Sequence, residues 1–330
     1  MEEFIDENFL GVCIPTFNRA AYLGVCLNSL ANEVSKFNFT IYISDNASVD
    51  GTEKVISAYR NKHHKIVYTR NITNLGFYRN FLNVIKMAKT EYVWLMGDDD
   101  AIKEGSMDII ISSLKRGFDY IIVNSIPYDA RLENIKSSKT ISCKYNKEYL
   151  RGSSGDLLDD LKKWAYHGYI SSMIIRAKII QDLISKYENE GFVLFNNTWF
   201  PLAMFYEAIK DCKGLFLCDP IVKNRDNPRA SEKDFWNHMY VDHIKAIEYL
   251  GSLGYDSKIL KRSLNFSITG ALFISTISKC SSQNVTLSDK FVKKDNMIPF
   301  HIKSIIFLTD KVPLILLRIF KGIIDRLRQI

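Results

Sequence analysis

The sequence predicts an α/β protein built on a mixed, mainly parallel sheet that is flanked by helices. Over the first 125 residues, short apolar runs typical of strands alternate with segments whose apolar residues repeat every three or four positions. Polar turn residues follow each run. Such alternation is typical of parallel sheets with helices on both faces. The predicted strands cover residues 10–14, 39–44, 65–69, 92–96 and 119–123.

Helices are predicted between these strands and again in the C-terminal half. The clearest apolar stripe falls on one face of an amphipathic helix and consists of Leu23, Cys26, Leu27, Leu30 and Val34. Further helices are predicted at about 52–60, 77–89 and 199–209.

Beyond residue 125 the pattern is weaker. A polar excursion is predicted at 129–163 and a strand at 169–175, and helical spacing over 235–277 indicates an α-rich C-terminal portion. We therefore divide the chain into a main domain at 1–235, a helical portion at 236–297 and a basic amphipathic tail at 298–330.

Composition places the chain among ordinary globular proteins. Of its 330 residues, 47% are hydrophobic, which is enough for a sizeable core, and 25% are charged. The 44 basic and 37 acidic residues leave a net charge of +7. This mild excess suits nucleic acid, anionic lipid or phosphorylated small molecules alike, so charge selects none of them.

Cysteine usage and the N-terminus predict a cytoplasmic protein. The six cysteines form no close CxxC pair, and we expect reduced thiols in a reducing compartment. The acidic first eight residues lack the basic and apolar regions of a secretory signal. No window of about 18 residues is apolar and uncharged, so no membrane-spanning helix is predicted.

Polar side chains follow the first four predicted strands at the point where each strand ends. In parallel sheets, ligands bind at the carboxyl ends of the strands, where these loops gather. The sequence therefore predicts a polar ligand site on one rim, formed by Asn18 and Arg19, Asp45, Asn71 and Asn74, and Asp98 to Asp100.

The triplet Asp98, Asp99 and Asp100 is the main candidate for metal binding. Three adjacent carboxylates repel one another at the end of a buried strand, and a divalent cation would compensate them. Mn²⁺ or Mg²⁺ prefers carboxylate and phosphate oxygens, and it would bridge the triplet to a diphosphate. The alternative is a solvated acidic turn that caps a helix beginning near Glu104.

Four residues near the rim have both a ligand role and a structural role open to them. Asp45 can accept the N3–H of uracil or thymine, or a ribose hydroxyl. Asp50 fits a capping box better than a ligand. Gly76 lets the backbone approach a phosphate or simply makes a turn. Arg79 can pair with the triplet or a donor phosphate, or stay solvated.

Four segments of the chain, taken together, carry a family resemblance. They are residues 12–19, 45–52, 74–80 and 94–100. In this order they resemble the family 2 glycosyltransferases of GT-A fold. Within that family the chain resembles the bacterial branch that includes abequosyltransferase-like enzymes of surface-polysaccharide synthesis. The resemblance is strong over residues 10–125 and loose to about 235.

The resemblance implies a GT-A (Rossmann-like) fold and an inverting hexosyl- or deoxyhexosyltransferase. Its donor would be a nucleotide-sugar, with UDP- or dTDP-sugars favoured, and its acceptor a glycan or a lipid-linked glycan. A Mn²⁺ or Mg²⁺ ion would stabilise the departing nucleoside diphosphate. The implied donor-binding residues are Pro15, Thr16, Asn18, Arg19, Asp45, Asn74, Gly76, Arg79, Asp98, Asp99 and Arg225.

The sequence departs from the family pattern at two places. Gly97 stands at the first position of the usual Asp-x-Asp-Asp, so we favour Asp98 and Asp100 as metal ligands, with Asp99 close behind. The usual Glu-Asp pair that carries the general base is absent near residues 195–200. Glu207 and His167 are the alternative candidates for that base.

A segment near the end of the predicted main domain offers a further candidate contact with phosphate. Residues 225–231 resemble the later family segment in which an arginine, often with a histidine, closes over the diphosphate. Arg225 or Arg229 would make that contact, and Asn227 stands where the histidine is common.

The tail at residues 301–330 combines apolar residues with six Lys or Arg against two Asp. Its spacing suits a helix lying in an anionic membrane interface, on the inner face of a bacterial membrane. A packed terminal helix or an oligomer contact is the alternative.

Two other functions compete with glycosyl transfer. A metal-dependent nucleotidyltransferase would also use metal-binding carboxylates, but its glycine-rich phosphate loop is missing from the N-terminal sequence. A non-enzymatic membrane or nucleic-acid adaptor would leave the triplet without a role. We expect no nucleic-acid partner.

Overall fold

A computed structural model describes residues 6–62, 65–136, 140–161, 169–190, 199–225 and 243–264. The strands are β1 (Leu10–Thr16), β2 (Thr40–Asp45), β3 (Ile66–Arg70), β4 (Tyr92–Leu95), β5 (Ala101–Ile102), β6 (Tyr120–Tyr128), β7 (Lys147–Tyr149), β8 (Met173–Arg176) and β9 (Gly214–Arg225). They form one sheet in the order β3-β2-β1-β4-β8-β6-β9-β5, and β7 also pairs with β9.

The helices lie on both faces of this sheet, as the sequence predicts. Val12 on β1 packs in a cluster with the helices α1 and α4, while its neighbour Cys13 packs on the other face with α3, α6 and α7. The helices are α1 (Ala20–Phe37), α2 (Thr52–Arg60), α3 (Gly76–Met87), α4 (Ser106–Leu114), α5 (Ser154–Leu161), α6 (Ala177–Asn189), α7 (Phe200–Ala208) and α8 (His243–Ser252).

The first four long strands bring their carboxyl ends to one edge. Strand β1 pairs in parallel with β2 and β4, and β2 pairs in parallel with β3. Thr16 at the end of β1 stands beside Asp45 at the end of β2. Asp50 fixes this edge further, because its carboxylate accepts the N–H of Thr52 and of Ala20, the first residues of α2 and α1.

The second half of the sheet is mixed, and it differs from the prediction at β8 and in three strands that were not predicted, β5, β7 and β9. The predicted strand at 169–175 begins only at Met173, because Ile170–Ser172 form a 3₁₀ turn. Strand β8 then runs antiparallel to both β4 and β6. Strand β9 was not predicted; it runs parallel to β6 and ends at Arg225, near the acidic triplet.

The C-terminal helical residues that are described pack directly on the main domain. Helix α8 lies against α7, and residues 257–264 are also helical. The hydroxyl of Tyr255 donates to the carbonyl of Tyr206 (2.7 Å) and pairs with Ser154. The rest of the predicted helical portion and the tail at 298–330 lie outside the described residues. No helix in the described ranges is long and apolar enough to cross a membrane.

The expectation that all six cysteines are reduced is wrong for one pair. Cys143, before β7, and Cys218, on β9, form a disulfide across a sequence separation of 75 residues. Cys13, Cys26 and Cys212 are free and buried. Spacing along the chain could not reveal the pair, because the excursion before β7 brings Cys143 back onto β9.

The buried imidazole of His243 predicts a pH-dependent stability. It stacks on Trp199 with ring centroids 4.3 Å apart, and its Nε2 has no hydrogen-bond partner in the described chain. Burial lowers the pKa of His243 to about 4 from an ordinary 6.5. The unfolded chain therefore binds more protons between pH 6.5 and 4, so this histidine removes stability as the pH falls through that window.

We expect His243→Phe, which keeps a ring against Trp199 but cannot be protonated, to flatten that pH dependence. From pH 7 to pH 4 the wild type should lose about 2–3 kcal/mol more unfolding free energy than the variant, since one pKa unit is worth about 1.4 kcal/mol. Urea unfolding at pH 7, 5.5 and 4 measures the difference. Equal losses of unfolding free energy in the wild type and the variant would contradict this role of His243.

Candidate functional site

A cleft of about 380 Å³ opens at the carboxyl edge of β1, β2 and β4. It lies where four polar loops were predicted to meet. Its walls come from the loops after β1, β2 and β4, from the start of α3 and from the turn before β8. The lining residues are Pro15, Thr16, Phe17, Arg19, Asn46, Asn74, Gly76, Phe77, Asn80, Gly97, Asp98, Asp99 and Ile170.

Asp98 and Asp99 face this cleft and share one arginine. Arg19 Nη1 donates to Asp98 Oδ1 (3.3 Å) and to Asp99 Oδ2 (2.6 Å). The hydroxyl of Thr16 donates to the other oxygen of Asp98 (2.7 Å). These contacts confirm that the end of β1 meets the end of β4, since 82 residues separate Thr16 from Asp98.

The cleft carboxylates are short of positive charge. Burial, and after it the charge of Asp99, raise the pKa of Asp98 to about 7, because Arg19 and Thr16 oppose these two effects only in part. Arg19 is the cation that contacts both carboxylates in the described residues. The site would thus gain from an additional cation.

Asp100 turns away from the cleft into the protein. Its Oδ2 accepts the hydroxyls of Tyr169 (2.7 Å) and Ser171 (2.6 Å), and its Oδ1 accepts the backbone N–H of Arg225 (3.1 Å). The side chain is buried, and burial raises its pKa to about 7. Of the favoured pair, Asp98 lines the cleft and Asp100 does not, and Asp99 lines it as well. Which of the three bind a metal stays a prediction.

The packing around position 97 explains why a glycine occupies it. A Cβ at this position would lie 3.0 Å from Asp99 Oδ1, 3.2 Å from Asp100 Oδ2 and 3.2 Å from Ser171 Oγ. These polar atoms occupy the space that the first aspartate of the usual motif would need. The departure at Gly97 therefore reflects a different arrangement of the turn.

Arg225 is near the triplet but does not line the cleft. Its Nε donates to the carbonyl of Asp99 (2.6 Å), its Nη1 donates to the carbonyl of Ala130, and its guanidinium lies over the ring of Tyr22 at 4.9 Å. Its Nη2 is buried without a hydrogen-bond partner in the described chain. The side chain thus supports the acidic turn, and its contact with donor phosphate stays a prediction.

Asp45, expected to contact the base, is fully buried behind the cleft wall. Its Oδ1 accepts the N–H of Ser48 (2.9 Å), and its Oδ2 accepts the hydroxyl of Tyr68 (3.2 Å) and lies 3.7 Å from Arg70 Nε. Burial and the Asp45 charge raise the pKa of Tyr68 to about 12. Asp45 therefore shapes the loop after β2 and does not line the described cleft, and its contact with the base stays a prediction.

Hydrogen-bonded asparagines form the part of the cleft wall where Asp45 was expected. Asn46 donates to Asn74 Oδ1 (2.6 Å) and accepts the N–H of Leu75 (2.8 Å). Asn71 donates to the side-chain oxygens of both Asn46 and Asn80. Of these residues only Asn74 had been assigned to donor binding. The polar Asn80 on the buried face of α3 was the signal that could have revealed the network.

The other expected donor-binding residues have varied positions. Asn18 adopts a left-handed conformation (φ 52°) and accepts the N–H of Val49, so it joins the loops after β1 and β2 without lining the cleft. Gly76 lines the cleft with φ 80° at the start of α3. Arg79 is exposed and is absent from the cleft lining within the described residues.

Of the two candidate bases, the structure describes only Glu207, which does not line the described cleft. Glu207 on α7 is bound by Lys186, Tyr187 and Tyr249, which come from α6 and α8. Its carboxylate therefore joins three helices and is absent from the described cleft lining. His167, like Asn227 and Arg229, lies outside the described residues.

Known proteins resemble this chain in sequence. The sequence model of Glycosyl transferase family 2 matches residues 11–184. Abequosyltransferase RfbV of Salmonella typhimurium is 47% identical over 104 residues, 31% of this chain and 31% of that protein. GalNAc(5)-diNAcBac-PP-undecaprenol beta-1,3-glucosyltransferase of Campylobacter jejuni is 28% identical over 118 residues, 36% of this chain and 38% of that protein. The chain thus aligns with about a third of the length of these relatives.

Solved structures share the fold. S. aureus TarS 1-349 in complex with UDP-GlcNAc superposes with a TM-score of 0.58 and 18% identity, over 90% of this chain and 83% of that one. The mannosyltransferase PcManGT from Pyrobaculum calidifontis, in complex with GDP-Man and Mn²⁺, gives 0.50 and 10% over 96% and 87%. These likenesses confirm the GT-A fold. Since the family model spans more than half of the sequence, this chain belongs to glycosyl transferase family 2.

Proposed function

We propose that this chain is an inverting glycosyltransferase of bacterial surface-polysaccharide synthesis. It would move a hexosyl or deoxyhexosyl group from a nucleotide-sugar to a glycan or lipid-linked acceptor. The observation that carries the proposal is the pair Asp98 and Asp99, held by Arg19 at the floor of a cleft on the carboxyl edge of the sheet. A diphosphate needs such a place, where a cation can sit between carboxylates and phosphate.

The donor proposal draws on the cleft and on the relatives. Amide groups from Asn46, Asn74 and Asn80 line the wall, and amides can both donate to and accept from a base or ribose. TarS has been solved with UDP and with UDP-GlcNAc. UDP- or dTDP-sugars remain the favoured donors, although Asp45 no longer supports them because its carboxylate is engaged inside the loop.

Mn²⁺ or Mg²⁺ fits the carboxylate pair. Asp98 and Asp99 would hold the ion, and it would stabilise negative charge on the departing nucleoside diphosphate. No group of three or more His, Cys, Asp or Glu side chains is arranged for a metal in the described ranges. Two protein carboxylates, with phosphate and water completing the shell, agree with the way Mg²⁺ is usually bound beside phosphates.

Arg19 and Thr16 would prepare the site before the donor arrives. Arg19 is the partly exposed cation beside both carboxylates, and it can also donate to phosphate oxygens. Thr16 fixes one oxygen of Asp98 through a buried hydrogen bond. Together they would hold the carboxylates in one arrangement and keep their charge partly compensated.

The acceptor side of the proposal concerns residues outside the described chain. His167 remains the candidate general base, since Glu207 joins three helices away from the cleft. The name of the Campylobacter jejuni relative includes a PP-undecaprenol acceptor, which supports a lipid-linked substrate here. The tail at 301–330 would then place the enzyme on the inner face of an anionic membrane, with an oligomer contact as the alternative.

Family membership argues against the two competing functions. The nucleotidyltransferase and the adaptor on membrane or nucleic acid have no specific support in the cleft, whereas the carboxylate pair and the family both point to nucleotide-sugar chemistry.

Substitutions of single aspartates should separate the cleft carboxylates from the buried one. We expect Asp99→Asn to remove Mn²⁺ binding and sugar transfer, because it removes a charge that faces the cleft. Asp100→Asn should retain measurable Mn²⁺ binding, because that side chain faces Tyr169 and Ser171 and not the ion. Titration calorimetry with Mn²⁺ compares them. Loss of Mn²⁺ binding in Asp100→Asn with binding retained in Asp99→Asn would contradict this division.

Nucleotide binding and turnover test the proposed reaction itself. We expect UDP or dTDP to raise the melting temperature in the presence of Mn²⁺ and to do so less in EDTA, since a ligand at 100 times its Kd adds about 2.7 kcal/mol to stability. The matching sugar nucleotide should then be turned over, and Asp98→Asn should abolish both effects. A protein that binds none of the nucleoside diphosphates UDP, dTDP, GDP and CDP would not be the proposed enzyme.

A further inference from the structure

We propose that Ser171, on the 3₁₀ turn before β8, is a positioning residue that sets the geometry of Asp98 and Asp99 for the divalent cation. The inference rests on the proposed function, because it concerns the same cleft. Ser171 does not line the cleft, and the sequence analysis gave it no role.

The hydroxyl of Ser171 contacts both ends of the segment that carries the cleft carboxylates. Its Oγ accepts the backbone N–H of Gly97 (2.8 Å), just before Asp98. The same hydroxyl donates to Oδ2 of Asp100 (2.6 Å), just after Asp99. One oxygen atom therefore ties the chain on either side of Asp98 and Asp99.

Ser171 is itself held by β4, the strand that leads into the acidic segment. Its carbonyl accepts the indole N–H of Trp94 on β4 (2.9 Å), and its side chain is completely buried. Tyr169, two residues earlier, supports the same Asp100 oxygen (2.7 Å). The turn thus supports the acidic segment through hydrogen bonds, and it belongs to a part of the chain far away in sequence.

The space around Gly97 shows why a hydroxyl is suited to this place. Ser171 Oγ would lie only 3.2 Å from any Cβ at position 97. The serine hydroxyl thus occupies the space that a larger side chain at position 97 would need. It also accepts the backbone N–H of Gly97, which a residue without a side-chain oxygen at position 171 could not do. In this chain, Gly97 and Ser171 act as one unit.

Loss of the hydroxyl would remove a hydrogen bond from each end of the segment at once. The Gly97 N–H would lose its partner, and Asp100 would keep only Tyr169 and the backbone of Arg225, so the segment between them would be held less firmly. Groups that orient metal ligands commonly change metal affinity or activity by about 10- to 100-fold when removed.

The experiment compares Ser171→Ala with Ser172→Ala. Ser172 is a matched control, because it lies in the same turn, is buried to the same degree and also makes a hydrogen bond, to the carbonyl of Tyr169 (2.6 Å), without touching the acidic segment. Mn²⁺ affinity is measured by calorimetry without donor, and kcat and KM for the sugar nucleotide are measured separately.

We expect Ser171→Ala to weaken Mn²⁺ binding by about 10-fold or more and to lower kcat more than it raises KM. Ser172→Ala should stay within about threefold of wild type, which is below the range found for groups that orient ligands. Equal affinities in the two variants would overturn the inference. If the wild type binds Mn²⁺ and both variants match it, the proposed function survives and only the role of Ser171 is lost. A wild type that binds no Mn²⁺ would contradict the metal site and the inference together.

Gly97→Ala provides a second measurement should Ser171→Ala fail to fold. The added methyl would press on Ser171 Oγ and on the two carboxylates, so Mn²⁺ affinity should fall again. If both single variants fold, the double variant should lose less than the two losses combined, because removing the hydroxyl makes room for the methyl. Unchanged affinity in Gly97→Ala, or fully additive losses, would contradict a shared unit.

Discussion

The buried carboxylate of Asp100 is the interaction on which the rest of the site depends. It accepts hydrogen bonds from Tyr169, from Ser171 and from the backbone of Arg225, which lie before β8 and at the end of β9. A buried carboxylate is costly unless donors surround it, and here they come from segments up to 125 residues away. The acidic turn can form only when β4, β8 and β9 are all in place, so the fold and the site are built together.

Because Asp100 is anchored in this way, the three adjacent aspartates have different positions in the site. Asp100 holds the turn, while Asp98 and Asp99 face the cleft with Arg19 between them. Two carboxylates that share Arg19 at the cleft are the basis for proposing a divalent cation there. The asparagines of the cleft wall are neutral, so the negative charge of the site is concentrated where a diphosphate would need a bridging ion.

The sequence predicted the parts of the fold that depend on local pattern. The stripe beginning at Leu23 became α1, and the helix predicted at 52–60 became α2, because burial on one face imposes helical spacing directly. Strand β9 was not predicted, because Asp219 and Pro220 interrupt its apolar run at the place where its register with β6 shifts. Pairing across distant segments, as in the Cys143–Cys218 disulfide, leaves no local pattern to read.

The site was predicted in location but not in side-chain direction. The rim of polar loops was right, because parallel strands must end together. Asp45 and Asp100 were given ligand roles because they occur at strand ends, yet both turn inward, and which way a side chain turns depends on donors such as Tyr68 and Ser171 elsewhere in the chain. The spacing of polar residues therefore predicted where the cleft lies. Which of these residues line the cleft and which hold the lining in place depends on the packing of distant segments.

A crystal structure of the full chain grown with UDP and Mn²⁺ would test the central claim most directly. We predict Mn²⁺ bound between the diphosphate and the carboxylates of Asp98 and Asp99, with Asp100 still hydrogen-bonded to Tyr169 and Ser171. An ion bound to Asp100, or a nucleotide bound away from the cleft, would contradict the account.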